Sequence, residues 1–145
     1  MSITQTLTIS FKTELLQGLH NFGPTSPNTF KIALYSSTAA LNAATTVYTT
    51  TGEITGTNYT AGGKALTIST TPTTASGGTT AFVGFADISW TLATFTTAGA
   101  LIYNSTNGNR AVAVLNFGGS KTSTSGVFTV QFPAATDTTA LIRIS

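Results

Sequence analysis

Residues 99–118 read GALIYNSTNGNRAVAVLNFG. Two apolar runs, GALIYN (99–104) and AVAVLNFG (111–118), flank the segment STNGN. Its Asn107-Gly108 is the kind of dipeptide that readily adopts the positive-φ backbone of a tight hairpin turn. The stretch reads as two antiparallel strands. Its neighbours carry the same signal. TFKIALYSS (29–37) sets Phe30, Ile32 and Leu34 on one face, and KALTIS (64–69) does so with Leu66 and Ile68. TTAFVGFADISW (79–90) is rich in aromatics, with Gly84 as a candidate bulge or close approach. GVFTVQFP (126–133) keeps Phe128, Val130 and Phe132 in phase, and ALIRIS (140–145) reads as a last strand tied into a sheet.

About seven or eight short strands separated by Gly/Thr/Ser turns predict an all-β sandwich or barrel. A parallel α/β fold would need a helix after most strands, and one helix is visible. In SFKTELLQGLHNFGP, Phe11, Leu15, Leu19 and Phe22 share a helical face, which predicts a helix over 10–22. Ser10 would be its N-cap, Glu14 would complement its positive end, His20 would fall in its last turn, and Gly23-Pro24 would stop it. Residues 1–9 precede it as an N-terminal arm. Residues 36–63 are low in complexity and read as a long surface excursion, with a short helical turn near Asn42. No linker and no repeat divides residues 1–145, so one domain is expected.

Charged residues make up only 7% of the chain, against about 25% in ordinary soluble domains, while apolar content is 41%. Threonine alone is about a fifth of the residues. This composition folds, because disorder needs low hydrophobicity with high net charge. The net charge is +2, and the six basic residues (Lys12, Lys31, Lys64, Arg110, Lys121, Arg143) are scattered. No local basic stripe exists to follow a phosphate backbone, so no nucleic-acid partner is expected. Weak net charge also lets identical subunits crowd without strong repulsion. No cysteine is present, which removes disulfides and thiolate chemistry. No signal-peptide pattern and no bilayer-length apolar run is visible, so a soluble, cytoplasmically made protein with no membrane partner is expected.

Motifs for chemistry are sparse. In TNYTAGGKALTIS (57–69), Gly63-Lys64 could end a phosphate loop, but Asn58 and Ala65 stand where that motif needs Gly and Ser/Thr. A strand pattern follows where a helix N-terminus is required, so a glycine turn is the better reading. His20 is the lone histidine, no serine lies in G-x-S-x-G, and the four acids (Glu14, Glu53, Asp87, Asp137) show no catalytic or calcium-binding spacing. The expectation is therefore no catalytic residue, no cofactor and no metal. Trp90, in phase with Phe82 and Ile88, reads as core rather than as a sugar-stacking platform. Tyr48 and Tyr59, in the excursion, are candidate exposed contacts. Ile3, Leu7 and Ile9 of the arm are candidates to pair with a neighbour's sheet edge.

Three stretches, taken in order, carry a resemblance. They are the segment running from LLQGLHNFGP through TFKIALYSS to NYTAGGKAL, then FADISWTLATFTTAGALIYN, then RAVAVLNFGG with GVFTVQFP. Together they resemble small virion proteins of tailed bacteriophages, over nearly the whole chain. The resemblance implies a jelly-roll-like antiparallel β-sandwich with one short N-terminal helix. It implies a non-enzymatic capsid decoration (cement) protein that binds the outside of a shell of HK97-type major capsid protein, is a homo-oligomer there, and clamps capsomers by multivalency. A tail, baseplate or head-fibre component, or a carbohydrate-binding module on a virion, are the alternatives at this point.

Overall fold

A computed structural model describes residues 2–145. Among them, the elements run β1 (Thr6–Leu7), α1 (Ile9–Leu16), β2 (Phe30–Tyr35), β3 (Lys64–Ala65), β4 (Ile68–Thr74), β5 (Ala81–Phe85), β6 (Ile88–Asn104), β7 (Arg110–Val130) and β8 (Ile142–Ile144). They build an all-β sandwich with one short helix. A five-stranded sheet is ordered β1-β7-β6-β2-β3 and a three-stranded sheet β4-β5-β8, and every strand pairing in both is antiparallel.

The hairpin read from residues 99–118 is the spine of the larger sheet. Its turn spans residues 105–109, with Gly108 at φ 68° and Asn109 at φ 56°. Asn104 organises it, since its Oδ1 accepts from the Thr106 and Asn107 amides at 3.1 and 3.2 Å. Pairing then continues far past the segment the apolar pattern marked, out to Ile88↔Val130. Thr and Ser keep the strand backbone in the polar tract after Asn116 but offer no apolar alternation to mark it. Where Thr97 pairs Lys121 and Gly99 pairs Asn116, residues 117–120 of β7 lie opposite Ala98 alone. This irregularity uses left-handed Gly118 and Gly119 (φ 74° and 123°).

Two stretches read as continuous strands each divide between the sheets. KALTIS breaks at Leu66-Thr67 into β3 and β4, and TTAFVGFADISW breaks at Ala86-Asp87 into β5 and β6. The freed amides are still used: Leu66 donates to Phe30 O at 2.7 Å and Ala86 to Thr67 O at 2.9 Å. Gly84 is a close approach, as expected, because an added Cβ would sit 2.5 Å from Ala135 Cβ.

One core lies between the sheets. Phe22 and Phe30 stack at 4.2 Å, Phe85 packs against both, and Ile32, Ile102, Val112 and Ile142 fill the remainder. A second cluster lies on the opposite face of the larger sheet, where Ala33, Tyr35, Leu101, Tyr103 and Val114 are covered by Ile3, Ala39 and Leu41. The centre of that sheet is thus buried on both sides. This explains why FKIALY, ALIY and AVAVL are apolar without clean alternation. The excursion of residues 36–63 is therefore a covering layer. Near Asn42 it makes a tight turn, with Thr45 N donating to Asn42 O at 3.0 Å and Ala44 N to Asn42 Oδ1 at 2.8 Å.

The helix is shorter than residues 10–22 and begins earlier. Thr8 is the N-cap, its hydroxyl accepting from Phe11 N at 3.3 Å, and Gly18 turns the chain away at φ 75°. Phe11 and Leu15 face the core as expected, whereas Leu19, His20 and Phe22 lie beyond the helix. The arm of residues 1–9 is also corrected, as far as it is described. Thr6 and Leu7 pair with Val114 and Ala113 of β7, and Thr4 N and Leu41 N bond across to Leu41 O and Ser2 O. The segment belongs to its own sheet because β7 needs an edge partner and Ile3 has a slot beside Gly99.

Candidate functional site

Two polar centres hold most of the chain's ionisable groups. The first is built around Glu53, half-buried in the covering layer. Its Oε2 accepts from the Tyr48 hydroxyl at 2.5 Å, and its Oε1 accepts from the Tyr59 hydroxyl at 2.6 Å and from Gly62 N at 2.7 Å. Tyr59 also accepts from Leu34 N of β2 at 2.9 Å. Tyr103 on β6 donates to Gly62 O at 2.7 Å and stacks on Tyr48 with ring centroids 4.7 Å apart. Tyr35 on β2 donates to Thr49 O at 2.6 Å. All four tyrosines of the chain therefore pin residues 48–62 to the sheet.

The glycines make this possible. Gly62 and Gly63 hold φ at 92° and 74°, and a Cβ at Gly63 would lie 1.7 Å from Ile32 O. The loop that resembled a phosphate cradle does bind an anion through a backbone N–H, and that anion is the Glu53 carboxylate. Burial raises the tyrosine hydroxyls, and the Glu53 charge adds to it: Tyr103 is pushed up to about 12, and Tyr35, Tyr48 and Tyr59 go higher.

The second centre joins α1 to the hairpin turn. Glu14 Oε1 lies 3.0 Å from His20 Nε2, and Glu14 Oε2 accepts from Arg110 Nη1 at 2.7 Å. Asn104 Nδ2 lies 3.1 Å from His20 Nδ1 and also donates to Asn28 Oδ1 at 2.9 Å. The imidazole sits fully buried, edge-on to Phe11 and stacked over Phe30. With both ring nitrogens engaged, the assigned geometry has Nε2–H donating to Glu14 and Nδ1 accepting from Asn104. A general base needs a nitrogen within reach of substrate, and this ring offers none. Glu14, expected to serve the helix end, instead ties α1 to β7. Among the described residues, no three His, Asp or Glu side chains are grouped so as to hold a metal ion, and no helix is long and apolar enough to cross a membrane.

The residues singled out as partner contacts are not brought together. Ile3 is buried at 8% exposure and Leu7 is half-buried, while Ile9 stands 60% exposed at the start of α1. Tyr48 and Tyr59 are both half-buried. Tyr59 packs against Trp90 and Phe95, and its hydroxyl is committed to Glu53 and Leu34. Trp90 lies in the core, as read, with Lys64 Nζ 5.5 Å above its ring. Sequence reasoning missed Glu53 as an organiser. The available signal was a lone acid inside an otherwise uncharged segment that holds two tyrosines.

It also missed an apolar patch on the open side of the sandwich. There Leu16 (91% exposed) and Ile144 (56% exposed) flank a recess of about 270 Å³ between α1 and β8. Comparison with protein-family models, with curated proteins and with solved structures found no match.

Proposed function

We propose that this protein is a structural component of a bacteriophage virion, a capsid decoration protein that binds the outside of the shell and stabilises contacts between major capsid protein subunits. The resemblance of the three stretches to small virion proteins of tailed phages supports this reading. One structural observation carries it further: Glu14, His20, Glu53 and all four tyrosines are committed to internal bonds that lock layers together. A chain that uses its reactive groups this way is suited to acting through its surface. Many weakly charged copies, each bridging neighbouring subunits, would resist internal pressure by multivalency.

The test is the copy number of this protein per purified virion, by quantitative mass spectrometry against the major capsid protein. Copies in near-stoichiometric ratio to shell subunits are expected. A ratio of only a few copies per particle would place it in the tail, and absence from the particle would overturn the reading. Heads lacking the protein should lose their packaged DNA at lower temperature than wild-type heads.

A further inference from the structure

We infer that the open side of the sandwich, where β8 faces α1, is a docking site for an extended acidic segment of a partner protein, which adds to the smaller sheet as a fourth strand. β8 ends the order β4-β5-β8, so one side of its backbone has no strand partner among the described residues. An unpaired edge of this kind is a template for another strand. Beside it runs the recess of about 270 Å³, floored by Leu7, Phe11, Leu15 and Ile142 and bordered by Leu16 and Ile144. Alternate side chains of an added strand would point into that recess, which calls for apolar residues at every second position.

The rim sets the intervening positions. Lys12 and Arg143 both line the recess, and no acidic side chain does. Arg143 Nη1 reaches only the Thr138 and Asp137 carbonyls, and Lys12 makes no ion pair among the described residues. Asp137 lines a separate, polar recess that shares Leu7 and Arg143 with this one. A second copy of this chain fits poorly. Of its own four acids, Glu14 and Glu53 are held internally and Asp87 accepts from Phe132 N. Asp137 is a lone acid among the Ala and Thr of residues 134–140 rather than one of a strand of alternating carboxylates, while β8-to-β8 pairing would bring cations against cations. Charge complementarity therefore selects a different chain, with carboxylates beside its apolar residues. Nothing here depends on whether that chain belongs to a virion.

The test uses the full chain and a capped peptide of alternating valine and glutamate, with the valine–lysine peptide as control. Amide chemical shifts are followed by NMR up to millimolar peptide. The expected result is perturbation confined to Leu7, α1 and β8, weakened by salt, with the lysine peptide much weaker. Lys12→Glu should reduce affinity for the glutamate peptide at least threefold and raise it for the lysine peptide. Leu16→Glu, at a position exposed enough to leave folding intact, should also weaken glutamate-peptide binding. No perturbation at millimolar peptide, equal binding of both peptides, or shifts centred elsewhere would overturn the inference. Self-association of the free protein through β8, seen by sedimentation, would overturn it as well.

Discussion

Glu53 sits in a segment with no other charge between Lys31 and Lys64, yet its carboxylate collects two phenol hydroxyls and a backbone amide. Hydrogen bonds to an ionised acceptor contribute more than neutral ones. Removing a shared acceptor also leaves its donors unsatisfied. Glu53→Ala should therefore destabilise the fold by roughly 2–4 kcal/mol, and Glu53→Gln, which keeps an acceptor but loses the charge, by about 1–2 kcal/mol. Urea midpoints at constant m-value would read this, and an unchanged midpoint for Glu53→Ala would refute the latch. The tyrosines give an independent readout. Their folded pKa values are raised above the ordinary value of 10, so above that pH the unfolded chain releases protons that the folded chain retains. Their contribution is intact below pH 10 and is lost as pH climbs towards and beyond 12. Absorbance at 295 nm should show no tyrosine ionising near its usual pH while the protein is folded. All four should then appear together with alkaline unfolding. Separate ionisation of one or more near pH 10, with circular dichroism unchanged, would contradict the burial of the hydroxyls.

The elements show what a sequence can announce and what it hides. The hairpin turn, β2, β5 and β8 were legible because apolar alternation and an Asn-Gly turn are local signals. The extension of β7 through GSKTSTSG was hidden, since a polar ribbon lacks the periodicity on which strand reading depends. The sheet switches at Leu66-Thr67 and Ala86-Asp87 were hidden for a different reason, namely that no local residue says which sheet a strand will join. The helix was misjudged at both ends because the apolar spacing of Leu19 and Phe22 continues past Gly18, while Thr8 caps in place of Ser10. The arm was misread because its partners, Leu41 and β7, are distant in sequence. Its structure predicts that deleting residues 2–9 removes Ile3 from the second core, the whole of β1 and the N-cap of α1. A buried isoleucine is worth about 2–5 kcal/mol and a cap about 1 kcal/mol, so the truncated chain should melt far below the full chain or fail to fold. Thermal melting by circular dichroism decides it. A truncation that melts within a few degrees of the full chain would restore the free-arm reading.

At the scale of the molecule, the same long-range ties set how the chain must fold. β1 near the start pairs with β7 beyond residue 110, β5 pairs with β8 some sixty residues later, and Arg110 closes on Glu14. The β6–β7 and β4–β5 hairpins are the local pairings, and β6–β7 is the natural nucleus because Ile102, Val112 and Leu115 supply buried apolar surface, whereas β4 is a largely exposed, threonine-rich strand. Every pairing beyond these two hairpins must close a long loop before its contacts are gained, and such topologies fold slowly for their size. Refolding from urea should therefore be slow, with a rate constant on the order of 0.1–10 per second at 25 °C. Within that process the order can be tested. Val112→Ala, in the hairpin, should slow folding and leave unfolding little changed. Leu41→Ala, in the covering layer, should chiefly speed unfolding, because that layer closes only on a sheet already formed. Stopped-flow tryptophan fluorescence of Trp90, which lies against Phe95 and Phe128 of the hairpin, follows both limbs. If Leu41→Ala slows folding as much as Val112→Ala does, the covering layer forms with the hairpin, and residues 36–63 would be part of the folding nucleus.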